Sequence, residues 1–86
     1  MLTNEVDAIL KETGLTETEL IFKNNVKRLR KESPGSPTLV ETAEALGIKY
    51  GKYRLIESFT PVNVKFETME RIAKYYNIPV ADLFKL

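Results

Sequence analysis

The sequence predicts an all-α domain, and three observations predict it. No stretch alternates apolar and polar residues with the period of two that a half-buried strand requires. Apolar residues instead recur three and four apart in one segment after another. The segments are also bounded by helix punctuation: capping boxes at Thr16-Glu17-Thr18-Glu19 and Thr38-Leu39-Val40-Glu41, and Gly14, Gly47 or Asn77 at the stops. At 86 residues the chain is expected to hold one modest core of about five helices.

Each element has a local reason. Asn4 can cap a first helix carrying Val6, Ile9 and Leu10, and Gly14 can end it in the left-handed conformation. The box at Thr16 opens a second helix with the stripe Leu20/Ile21, Phe22, Val26 and Leu29. Lys23, Lys27, Arg28 and Lys31 are expected off that stripe. Ser33-Pro34-Gly35-Ser36-Pro37 stops this helix. The box at Thr38 opens a third helix with Val40, Ala43 and Leu46 inward, and Gly47 ends it. Residues 49–58 form the next helix, with Tyr53 and Ile56 three apart on its inner face. After a linker over 60–64, the strong stripe Phe66, Met69, Ile72, Ala73 and Tyr76 predicts a buried helix face, with Leu46, Ile56 and Leu83 as neighbours. Asn77 closes it. Pro79 can occupy the first turn of a last helix whose apolar face is Val80, Leu83 and Phe84. No internal repeat or low-complexity tract interrupts this order. Residues 1–15 are expected to form an acidic helix or arm, separate from the domain over 16–86.

Composition narrows the chemistry. The chain has no cysteine and no histidine, so it lacks thiolates, the commonest general base and the commonest neutral metal ligand. Glu41/Glu44 and Glu67/Glu70 are three-apart pairs that read as solvated helix faces, so no enzyme is expected and no cofactor or metal is expected. MLTNEVD has neither a basic start nor an apolar stretch, and no apolar run approaches a membrane span; a cytoplasmic chain without a membrane partner is expected. Net charge is only +1, but its distribution is uneven. One Lys against five acids gives residues 1–20 a net −4, eight cations against three acids give residues 21–54 a net +5, and residues 55–86 balance.

The basic segment contains the most informative pattern, 39–59, LVETAEALGIKYGKYRLIESF. A helix-turn-helix needs a small residue where its two helices cross, and Ala43 is placed for that. It needs a positive-φ residue four positions later, and Gly47 meets this. It then needs an apolar plug, Ile48, and inward residues on the second helix, Tyr53 and Ile56.

From about residue 24 to the end, the chain resembles the lambda-repressor-like DNA-binding domains of Cro/CI type, the xenobiotic-response-element family. Asn25-Val26-Lys27-Arg28-Leu29-Arg30 is similar to the family's first helix, 38–47 to its second and 48–59 to its recognition segment. Phe66-Glu67-Thr68-Met69-Glu70-Arg71-Ile72-Ala73-Lys74 is similar to its fourth helix, and Asn77-Ile78-Pro79-Val80-Ala81-Asp82-Leu83-Phe84 to its fifth. The resemblance implies a five-helix lambda-repressor-like bundle containing a helix-turn-helix and preceded by an extra N-terminal helix or arm. It also implies an ion pair between Arg30 and Glu57, joining the first helix to the recognition helix. The chain departs from the pattern where Leu39 stands in place of a phosphate-clamping Gln and Phe59 in place of a Gly. The linker before residue 38 is longer than usual and carries Pro34 and Pro37.

The resemblance implies a sequence-specific transcriptional regulator of phage-repressor or mobile-element type, binding double-stranded DNA. Its helix 49–58 would read a palindromic operator as a homodimer. The DNA-facing residues would be Lys49, Tyr50, Gly51, Lys52 and Leu55, with Lys65 at the start of the following helix. Lys49, Lys52, Lys65 and also Lys23, Lys27 or Arg28 would meet phosphates, while Tyr50 and Leu55 would meet base edges or thymine methyls. Arg54 falls one position off the expected arc. Gly51 has two readings: close approach of the helix backbone to DNA, or drift on a helix that no longer reads bases. The apolar end Leu83, Phe84 and Leu86 would support dimerisation. The alternative is a protein partner: a degenerate helix-turn-helix used as an antitoxin-like or inhibitor-like interaction module, favoured by Tyr50, Gly51, Leu55 and the acidic first twenty residues.

Overall fold

The described residues, 4–86 of a computed structural model, hold five α-helices and one short 3-10 helix, with no strand among them. The helices are α1 (Asn4–Thr13), α2 (Glu17–Glu32), α3 (Leu39–Leu46), α4 (Tyr50–Glu57) and α5 (Phe66–Tyr75), and the 3-10 helix spans Val80–Phe84. None of them is long and apolar enough to cross a membrane.

Local chemistry sets the boundaries. At α2, Thr16 Oγ1 accepts the Glu19 N–H at 3.1 Å and Glu19 Oε1 accepts the Thr16 N–H at 3.0 Å. The same reciprocal pair starts α3, between Thr38 and Glu41, at 3.1 and 2.9 Å. Each box satisfies two of the amide groups that a helix start leaves unpaired. The bonds from Thr38 hold the Glu41 carboxyl below the usual carboxylate range. Two helices end in the same left-handed device. Gly47 (φ 70°) lets the Ile48 N–H reach the Ala43 carbonyl at 2.9 Å, and Asn77 (φ 56°) lets the Ile78 N–H reach the Ala73 carbonyl at 2.9 Å. Asn4, expected as the cap of the first helix, lies inside α1, and the residues before it are outside those described.

The core is Phe22 and Val26 of α2, Ala43 and Leu46 of α3, Tyr53 and Ile56 of α4, Ile72 and Ala73 of α5, and Leu83. α2 runs through the middle, touching both α4 and the 3-10 helix. Asn25 is buried on it and donates to the Leu83 carbonyl at 2.9 Å and the Lys85 carbonyl at 2.7 Å. One side chain thereby satisfies two carbonyls at the chain's last turn, and the Phe22 and Phe84 rings stack with centroids 5.4 Å apart beside it. α1 contributes no fully buried residue, but Leu15, which links it to α2, is buried.

Several expectations need correction. Phe66 is not core: it is 80% exposed, because it is the first residue of α5 and the helix turns its inner stripe to Met69, Ile72 and Ala73 only from the next turn on. Tyr76 lies just past α5 and is half-buried. Val40 is 56% exposed, since α3 buries Thr42, Ala43 and Leu46. The 49–58 helix is shorter by one residue at each end, and the last helix is a 3-10 turn with Pro79 before it. Leu83 is completely buried and Phe84 is stacked on Phe22, so that of Leu83, Phe84 and Leu86 only Leu86 is exposed. The apolar motive for dimerisation is correspondingly removed.

Candidate functional site

α3 and α4 are joined by Gly47, Ile48 and Lys49, and pack against each other. Ala43 is buried in α3, Ile48 packs on the core, and Tyr53 and Ile56 are wholly buried. The first turn of α4 faces outward instead: Lys49, Tyr50 and Gly51 are exposed, as is Arg54 one turn on. A methyl group added at Gly51 would meet nothing within 4 Å, so no neighbour in the fold demands a glycine there. Lys52 and Leu55 are half-buried on the flank. The Lys52 ammonium donates to the Asn63 carbonyl, which ties α4 to the loop leading into α5. Lys65 stands exposed at the cap position of α5.

The helix starts fall into two kinds. α2 and α3 carry complete capping boxes. α4 and α5 follow Lys49 and Lys65 at their cap positions, and no side chain caps either start. Their first amides therefore remain donors, beside a cation in each case.

The far end of α4 is held firmly. Arg30 donates through Nε to Glu57 Oε2 at 2.7 Å and through Nη2 to Oε1 at 2.9 Å, while its Nη1 reaches the Pro37 carbonyl at 3.0 Å. The Tyr53 hydroxyl donates to the same Glu57 carboxylate, and burial together with that bond pushes its pKa upward. Lys23, expected among the outward lysines, is 2% exposed. Its ammonium donates to the Leu55 carbonyl at 2.8 Å and the Ile56 carbonyl at 3.4 Å, and burial lowers its pKa. A phosphate contact from Lys23 is thereby ruled out in this conformation. A second clasp comes from α5, where Arg71 donates to the Gly47 carbonyl at 3.1 Å and to Glu67 at 3.1 Å.

The structure thus brings Lys49, Tyr50 and Gly51 together at one exposed end of α4. It sets Lys65 at the start of α5 and turns Lys52 and Leu55 partly inward. Arg71, Arg54 and Lys23 take places that the sequence reading does not give them. Arg71 gives no local signal. Arg54, one position off the expected arc, is more exposed than Lys52 or Leu55. Lys23 did carry a signal: Lys23, Val26 and Arg30 fall on one stripe of α2, at i, i+3 and i+7. No group of three or more His, Cys, Asp or Glu side chains among the described residues is arranged to hold a metal ion. No family model, no curated protein and no solved structure matches the chain.

Proposed function

We propose that the chain is a sequence-specific DNA-binding regulator on a lambda-repressor-like bundle, with α3 and α4 as its helix-turn-helix and α4 as the helix that enters the major groove. The observation that carries this reading is the α3–Gly47–α4 unit. Its inner residues Ala43, Ile48, Tyr53 and Ile56 are packed, while the start of α4 is turned to solvent with Lys49, Tyr50 and Gly51. The uncapped starts of α4 and α5 support it, because a phosphate oxygen accepts from free first-turn amides and sits well beside Lys49 or Lys65. Arg54 joins these cations, and Lys52 reaches a phosphate only on leaving Asn63. Tyr50 would meet a base edge or a thymine methyl, as would Leu55 from its half-buried flank. With one recognition helix per chain, a homodimer on a palindrome fits the few base pairs each helix reads. We read the chain as a binder rather than a catalyst, because its sequence offers no histidine or cysteine for acid–base or nucleophilic work.

The exposure of Val40 on α3 and Tyr50 on α4 favours a second reading, a protein-interaction module that keeps the fold without reading DNA. Salt dependence separates the two. A DNA reader loses duplex affinity steeply as salt rises, with a slope near −0.9 per phosphate contact. Fluorescence anisotropy on a labelled duplex pool from about 50 to 200 mM salt reads this directly. Absence of duplex binding at the low end removes the first reading and leaves the second.

A further inference from the structure

We infer that Lys23 is a positioning residue for the reading helix: from α2 it sets how the exposed start of α4 is presented to a partner, without touching that partner itself. The inference rests on the DNA-reading proposal for its functional consequence, and on geometry alone for its structural part.

α4 is held asymmetrically. Its last turn is gripped from α2 at two places, by Lys23 on the Leu55 and Ile56 carbonyls and by Arg30 on the Glu57 carboxylate. Lys23 and Arg30 are seven residues apart, so they project from the same side of α2 about 10 Å apart along its axis. One hold fixes where a helix end sits; two separated holds also fix its tilt and rotation. At the other end, α4 has no side-chain cap and no hold from α2: Lys49, Tyr50 and Gly51 face solvent, and the ties there are Arg71 on the Gly47 carbonyl before the helix and Lys52 on the Asn63 carbonyl. Both carbonyls belong to the last turn of α4. That of Leu55 also accepts from the Ser58 N–H at 3.3 Å and the Ser58 hydroxyl at 3.0 Å, whereas Lys23 reaches that of Ile56 as well, and a cation there complements the helix dipole. A small change in the angle at the gripped end is magnified along α4 to Tyr50. An apolar side chain in place of Lys23 would fill the same space while removing this hold, its attraction to Glu19 and the donor to the Ile56 carbonyl.

Because the Lys23 ammonium is buried and both carbonyls lie on α4, any effect of its removal on DNA must pass through α4. Phosphate contacts and helix placement leave different signatures. A lost phosphate contact weakens all duplexes alike and lowers the salt slope by about one. A misplaced reading helix leaves the slope unchanged and reduces the preference for the matched sequence.

The test is Lys23→Met in the full chain, with Lys31→Ala, an exposed lysine of the same helix, as the surface control, measured two ways. The first is amide hydrogen exchange by NMR without DNA. Exchange at Arg54 to Glu57 should quicken at least tenfold while Met69 to Ala73 of α5 stays within twofold. Equal acceleration in α4 and α5, or none in either, overturns the positioning role. The second is anisotropy on matched and mismatched duplexes across salt. Lys23→Met should cut the ratio of matched to mismatched affinity at least tenfold with an unchanged salt slope. A slope reduced by about one, or equal weakening of both duplexes, overturns the inference. If the parent protein binds no duplex, the DNA proposal fails and the exchange result alone decides what Lys23 does to α4.

Discussion

Replacing Arg30 by Met should be among the most damaging single changes in this protein. Arg30 is 13% exposed and Glu57 5% exposed at their side chains, and the guanidinium meets the carboxylate with two bonds at 2.7 and 2.9 Å. Met is close in length and leaves Glu57 as a buried carboxylate with only the Tyr53 hydroxyl as donor. Breaking a buried pair from one side costs about 3–5 kcal/mol, since the remaining charge is uncompensated. A domain of this size has a total stability of about 4–13 kcal/mol, so the change removes about a quarter of it or more. With a urea m-value near 1 kcal/mol/M, the unfolding midpoint should fall by about 3 M, read by far-UV circular dichroism. The companion Arg30→Met/Glu57→Leu removes both charges and should recover most of the loss, although the Pro37 carbonyl still lacks its donor. A midpoint shift below about 0.5 M for the single variant, or a double variant no better than the single one, would refute the argument that an orphaned carboxylate is the cause.

Other outcomes follow from the same structure. Phe66→Ala should change stability by less than about 0.5 kcal/mol and Leu83→Ala should cost about 2–5 kcal/mol, compared by their urea midpoints. Gly51→Ala should stabilise α4 by about 1 kcal/mol, because nothing crowds the added methyl; weakened duplex binding in the same variant supports close backbone approach, and unchanged binding supports drift. Stability should fall in acid through the Glu41 cap. Its folded pKa lies below the ordinary 4.5, so its contribution is present above that value and is lost as pH falls through the folded one, and Thr38→Ala should flatten this limb of the thermal-melt profile. Stability should also fall in alkali: Tyr53, whose folded pKa is raised above the ordinary 10.0, contributes fully below that pH and progressively less above it, and Tyr53→Phe should flatten that limb.

What the sequence made legible was mostly local. Both capping boxes, the left-handed stops at Gly14, Gly47 and Asn77, and the inward Ala43, Tyr53 and Ile56 depend on chemistry within a few residues or on helical period. The misread positions are those where tertiary placement decides. Phe66 and Val40 fit an apolar stripe but stand in the first turn of their helices, beyond the edge of the core. Residue type puts Lys23 at the surface, whereas its spacing to Val26 and Arg30 turns it inward, and only the proximity of the α4 carbonyls gives its charge a reason to be there. The candidate site divides in the same way. Exposure of Lys49, Tyr50 and Gly51 follows from helix phase, whereas the tie between Lys52 and Asn63 depends on how the 58–65 loop returns across α4.

The most direct test of the central claim is a selection from random-sequence duplexes on the purified chain at about 100 mM salt, where phosphate-driven binding still operates. The account predicts enrichment of one palindromic sequence, with Tyr50→Ala shifting the preferred base at one position in each half-site while Lys49→Ala weakens all sequences alike. No enrichment over the starting pool, or enrichment that neither variant alters, would contradict it.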